Sequence, residues 1–124
     1  MLKELRLLKD SKIIKDFKIL DFKEGNDFYY LKIEAILIDD GKLYIKEHVS
    51  NENYIYSFHW QDKNGDLIVR WDNAPHYKNI KTFPHHKHTK NGVEESDEVC
   101  LEDVLKYIEN QLNNNYLEKK NSKR

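Results

Sequence analysis

Apolar and polar residues alternate with period two over most of the first seventy positions, and this pattern predicts strands. Residues 1–10 are the exception: Leu2, Leu5 and Leu8 recur at a spacing near three among Lys and Glu, which predicts a short amphipathic helix. Ser11 to Phe22 reads as a first strand, Phe28 to Ile38 as a second, Lys42 to Val49 as a third, Tyr54 to Gln61 as a fourth and Leu67 to Asp72 as a fifth. Glu24-Gly25-Asn26-Asp27, Asp40-Gly41, Ser50-Asn51-Glu52-Asn53 and Asn64-Gly65 separate them as turns. After Trp71 the texture changes. Both prolines, Pro75 and Pro84, fall in the next stretch, which reads as loop with at most an edge strand near residue 86. Asn91-Gly92 is a further turn. Leu101, Val104, Leu105, Ile108 and Leu112 then return to helical spacing, with Glu102 and Asp103 at the end that favours acids.

The expected fold is α+β: an antiparallel β-meander of about five strands, with a short N-terminal helix and a C-terminal helix packed on the sheet. At 124 residues the chain is expected to form one domain over residues 1–112. Residues 113–124 are polar and are expected to fray or be disordered.

The Asn64-Gly65 hairpin sets a register. A two-residue turn pairs Lys63 with Asp66, places His59 opposite Arg70 and Ser57 opposite Asp72, and sets Gln61 against Ile68. One face is then apolar, with Tyr56, Phe58, Trp60, Leu67, Val69 and Trp71. The other carries Ser57, His59, Gln61, Arg70 and Asp72.

A histidine-rich segment lies directly downstream of that polar face and can fold back over it. Five of the six histidines lie between His59 and His88, three of them in Phe83-Pro84-His85-His86-Lys87-His88. Imidazole titrates nearest neutrality, so it moves protons and ligates metals. In an extended segment His86 and His88 share a side while His85 faces away. Two readings stay open. In one, His59 and one of His85, His86 or His88 form an acid–base pair, Arg70 holds a phosphate, and Asp72 and Asn73 orient them. In the other, two histidines with His59, His76 or Asp72 hold a zinc-like ion; no paired cysteines or second acidic motif support it, and no cofactor is expected. Ser57, Gln61, His76, Tyr77, Phe83 and Lys87 are candidates for substrate contact.

Charge sharpens this picture. The net charge is −1, yet residues 54–93 hold six basic against three acidic residues, and residues 94–109 hold seven acidic against one basic. A basic, histidine-rich middle suits a phosphate-bearing partner. No apolar run approaches the ~20 residues that span a bilayer, the N-terminus does not read as a secretory signal, and the lone Cys100 fits a reducing compartment, so the expected location is cytoplasmic.

The runs Tyr56-Ser57-Phe58-His59-Trp60-Gln61-Asp62, Arg70-Trp71-Asp72-Asn73-Ala74-Pro75-His76 and Thr82-Phe83-Pro84-His85-His86-Lys87-His88, with Leu101-Glu102-Asp103-Val104-Leu105, resemble the TumE family. These are small toxin components of toxin–antitoxin pairs. The resemblance implies a neighbouring antitoxin that binds and neutralises the chain. Cys100 departs from the Ser or Thr expected as a helix cap. Joined to the residue reading, the resemblance leads to a metal-independent endoribonuclease toxin acting on RNA. The rival is a non-catalytic module that binds nucleic acid or protein, with the histidines free to hold a metal. An edge strand of the meander leaves pairing with the antitoxin, or with a second copy as a homodimer, open.

Overall fold

The computed structural model describes residues 2–122, with side chains described through Lys120. Helix α1 (Leu2–Asp10) leads into strands β1 (Ile14–Glu24), β2 (Phe28–Leu37), β3 (Lys42–Ser50), β4 (Tyr54–Gln61), β5 (Leu67–Asp72), β6 (His86–Thr89) and β7 (Gly92–Glu95), and helix α2 (Leu101–Ser122) closes the order. The seven strands form one open antiparallel sheet whose spatial order is the chain order. The α+β architecture is the expected one, with two strands more than the pattern suggested. The extra strands are the histidine segment and its continuation past Asn91-Gly92, so β6 is an interior strand and β7 is the edge.

Alternation builds the two faces. Leu31, Ile33, Ala35 and Leu37 of β2, Leu43 and Ile45 of β3, Tyr56, Phe58 and Trp60 of β4, and Val69 and Trp71 of β5 are all buried. Leu8 of α1 and Leu101, Val104, Leu105 and Ile108 of α2 join them in one core. Burying this apolar surface is the main drive for the sheet to take up its helices. The helix begins where Asp103 Oδ2 accepts both the backbone N–H (3.0 Å) and the thiol (3.2 Å) of Cys100, so a cysteine fills the cap position. These bonds hold the Asp103 carboxyl below its ordinary range, the backbone N–H contributing most. The helix runs on to Ser122 past Leu112, where its buried stripe ends, and residues 113–120 are exposed. Residues 123 and 124 of the expected tail lie outside the described residues.

The β4–β5 hairpin differs from the expected geometry in an instructive way. The turn takes three residues: Asp62 N–H donates to Asp66 O (2.9 Å) and Gly65 N–H to Asp62 O (3.0 Å), with Gly65 at φ 88°, a conformation that penalises any Cβ. This shifts the pairing by one, so Gln61 faces Leu67 instead of Ile68. An irregularity between Trp60 and Gln61 shifts it back, and His59 meets Arg70 and Ser57 meets Asp72 as expected. At the neighbouring β2–β3 turn, Gly41 is required by space: a Cβ there would sit 2.8 Å from the Gln61 carbonyl oxygen.

Candidate functional site

On the face away from the helices, cross-strand partners line up into rows. One row runs Glu34, Tyr44, His59, Arg70, His88 from β2 to β6; the next runs Lys32, Lys46, Ser57, Asp72, His86. Partners in such ladders project to the same side, so the two rows place imidazoles, a guanidinium, a carboxylate and lysines on one surface. A cleft of about 590 Å³ opens over them. Its lining includes Ser57, His59, Arg70, Asp72, His76, Tyr77, His86 and His88 of the expected residues. Gln61 lines an adjoining recess of about 290 Å³ that shares Lys46, Ser57, His59 and Arg70.

The centre of the site is Asp72. Its side chain is 9% exposed and that of His86 is 2% exposed. His86 Nε2 lies 2.9 Å from Asp72 Oδ1, His88 Nε2 lies 3.6 Å from Asp72 Oδ2, and the two Nε2 atoms are 3.1 Å apart. Ala74 N–H donates to Asp72 Oδ1 (3.1 Å), and Arg70 Nε stands 3.4 Å from Oδ2. His86 Nδ1 is 3.0 Å from the Pro84 carbonyl oxygen. A carbonyl only accepts, so Nδ1 carries a proton and Nε2 is the atom turned to the carboxylate. Tyr77 caps the group, its ring edge-on to His86 (4.8 Å) and to His88 (5.6 Å).

His59 is set differently. Its Nε2 lies 3.2 Å from Gln61 Oε1, so Nε2 donates to the amide oxygen and Nδ1 keeps the lone pair. Burial lowers its proton affinity, Arg70 lowers it further, and the Gln61 hydrogen bond opposes both. Burial also lowers that of His88, with Asp72 pulling the other way. His59 is thus held toward the neutral form that accepts protons at neutral pH.

Four expected residues stand elsewhere. His85 turns away from the cleft, as alternation requires: its Nδ1 meets Tyr56 Oη at 2.8 Å, and the two rings stack at 5.9 Å. Tyr56 is core, and burial pushes its hydroxyl up to about 12. Asn73 spends its side chain on backbone: Oδ1 accepts from Tyr56 N–H (3.0 Å) and Nδ2 donates to Tyr54 O (2.7 Å), extending the β4–β5 ladder past Asp72. Phe83 and Lys87 do not line the cleft. Conversely, Tyr30, Lys46, His48 and Ile55 line it without having been singled out. The signal for Lys46 and His48 lay in β3, where Tyr44, Lys46 and His48 alternate with Leu43, Ile45 and Glu47.

Chemically, the surface combines an imidazole whose proton affinity is lowered, a half-exposed guanidinium and a second pair of imidazoles beside a buried carboxylate. Such a set can bind an anion at Arg70 and move protons on either side of it. Comparison with known sequences adds one finding. The model of a protein family described as Toxin TumE matches residues 4–112, most of the chain and the whole cleft. No curated protein and no solved structure matches it significantly.

Proposed function

The chain belongs to the TumE toxin family, and on that premise we propose that it is an endoribonuclease toxin that works by proton transfer between histidines. The observation that carries this reading is the row His59–Arg70–His88, a guanidinium flanked by one imidazole on each neighbouring strand. Adjacent strands lie ~4.8 Å apart, so the two histidines stand roughly 10 Å apart across the arginine. That span fits a phosphodiester held at Arg70 between a base and an acid.

The steps balance without a metal. Arg70 binds the nonbridging oxygens of the phosphate. His59 Nδ1 takes the proton of the adjacent 2′-hydroxyl, whose oxygen attacks phosphorus. The bond from phosphorus to the 5′-oxygen breaks, and that oxygen takes a proton from the His86–His88 pair. The products are a 2′,3′-cyclic phosphate and a 5′-hydroxyl end. Asp72 holds the acid-side imidazoles, and Asn73 fixes the end of β5 that carries it. Lys32 and Lys46 extend the cationic track for the neighbouring phosphates, and Tyr77 and Tyr30 offer rings to bases.

A toxin of this family implies an antitoxin partner. The basic cleft suits cover by an acidic antitoxin segment, since complementary charge speeds association.

The test is induction of the wild type and of His59→Ala and Arg70→Ala without antitoxin, followed by incubation of the purified proteins with labelled RNA in chelator. Growth arrest with RNA ending in 2′,3′-cyclic phosphate, lost in both variants, is expected. Arrest by the wild type with RNA retarded in a gel and uncut would replace this reading with a non-catalytic binding module.

A further inference from the structure

Among the described residues, one group of carboxylate and imidazole atoms converges as metal ligands do: Asp72, His86 and His88, with one ligand atom from each within 4.8 Å of the others. We propose that these three residues form a zinc site, and that the ion, once bound, turns the cleft off.

Protons alone serve this cluster poorly. The proton of His86 Nδ1 is committed to the Pro84 carbonyl, so its Nε2 faces Asp72 at 2.9 Å and the Nε2 of His88 at 3.1 Å. One proton on one nitrogen satisfies a single one of these contacts. An ion at their centre satisfies all three atoms at once. The separations of 2.9 Å from His86 Nε2 to Asp72 Oδ1, 3.1 Å between the two Nε2 atoms and 3.6 Å from His88 Nε2 to Asp72 Oδ2 suit it, because ligands at ~2.1 Å around tetrahedral zinc lie about 3.4 Å apart. The bond from Nδ1 to a backbone carbonyl is also the outer contact that orients a metal-binding imidazole and presents its other nitrogen.

The donor set selects the ion class. Two imidazoles and one carboxylate favour zinc and its borderline neighbours over magnesium or calcium, which take oxygen ligands. The scaffold is preformed, since Asp72 and His86 are direct ladder partners. Asp72 and His86 are buried while the side chain of His88 is 26% exposed, so the open coordination positions face the cleft. Arg70, 3.4 Å from Asp72, opposes a second cation, but its half-exposed side chain has room to swing toward solvent.

Inhibition follows from competition for one pair of electrons. A zinc ion on the Nε2 atoms of His86 and His88 occupies the lone pairs that carry the acid proton in the proposed cleavage. This half of the inference rests on the ribonuclease reading, whereas binding does not.

The test uses the full chain stripped with a chelator and titrated with cobalt(II), whose visible bands report coordination by nitrogen, followed by displacement with zinc. One saturable cobalt per chain is expected, with affinity at least ~10-fold weaker in His88→Ala. His88 is the variant of choice because the buried His86 also supports folding. Absence of a saturable band, or equal affinity in a folded His88→Ala, overturns the site. RNA cleavage by the wild type should then fall as zinc fills the site and return with chelator. Unchanged or faster cleavage at full occupancy overturns the inhibitory role. A stripped protein that binds cobalt through His88 yet never cuts RNA upholds the site and overturns the ribonuclease reading.

Discussion

Replacing Asp72 with alanine should be the most costly single change on the polar face. The carboxylate is buried and meets His86 Nε2 at 2.9 Å, His88 Nε2 at 3.6 Å, Arg70 Nε at 3.4 Å and Ala74 N–H at 3.1 Å. These contacts share one group, so their energies do not sum. The largest is the His86 pair, since removing one partner of a buried pair costs about 3–5 kcal/mol by stranding the other. The hydrogen bond from Ala74, roughly 1.5–3 kcal/mol for a charged acceptor, is lost with it and falls within the same range. Arg70 adds little, because its side chain is 46% exposed and solvent screens such pairs to about 0–1 kcal/mol. Asp72→Ala should therefore lose about 3–5 kcal/mol and Arg70→Ala about 0.5 kcal/mol. At roughly 4 °C per kcal/mol for a chain of this size, Tm falls by about 12–20 °C in the first and about 2 °C in the second. Urea unfolding at one mildly acidic pH, with chelator present to keep the site free of metal, measures both. A double-mutant cycle with His86→Ala should return a coupling of about 1.5–3 kcal/mol. If Asp72→Ala costs no more than Arg70→Ala, the carboxylate does not organise this face and the reasoning fails.

Two further outcomes concern protonation. Burial and then Arg70 depress His59, so Arg70→Gln should raise its midpoint toward the ordinary value of about 6.5 when its ring protons are followed by NMR against pH; a midpoint that stays or falls refutes the pairing. Glu47 is buried with its carboxyl pushed above the ordinary 4.5, mainly by desolvation, so the folded state holds its proton more tightly than the unfolded one. Stability therefore drops as pH rises from that ordinary value through the raised one, and Glu47→Gln should melt higher than wild type at pH 7, with the gain vanishing below about 4.5; a lower melt at pH 7 contradicts this.

The legible parts of the molecule were those governed by local rules. Alternation defined β2 to β5, and one turn signal placed His59 against Arg70. That pairing survived an error in the turn because the bulge beside Trp60 cancelled it. The third member of the row was not legible. Thirteen residues separate Asp72 from His86, and no turn rule sets the register of so long a connection. Both prolines argued for loop, yet each sits outside the ladder, leaving His86 to Thr89 free to pair. The same gap left Asp72 as one of three possible partners for the clustered histidines, beside His59 and His76, because the choice depends on Asp72 and His86 being cross-strand partners. Tyr30, Lys46 and His48 were missed for another reason: the register of β2, β3 and β4 was not carried across the sheet, although their alternation would have allowed it.

Because spatial order and chain order coincide in the sheet, the protein can be assembled in the order in which it is synthesised. Each strand finds its partner in the strand made just before it, and the longest connection to close is the thirteen residues between Asp72 and His86. The cleft row from His59 to His88 does not keep to that schedule evenly. His59 and Arg70 take their places with the first five strands, while His86 and His88 arrive later and α2, which covers the apolar face, comes last. At about 5–20 residues per second, the eighteen residues from Arg70 to His88 take roughly 1–4 s to make. During that interval the chain carries His59 and Arg70 without the histidines of β6 that complete the row, and without the α2 residues that close the core.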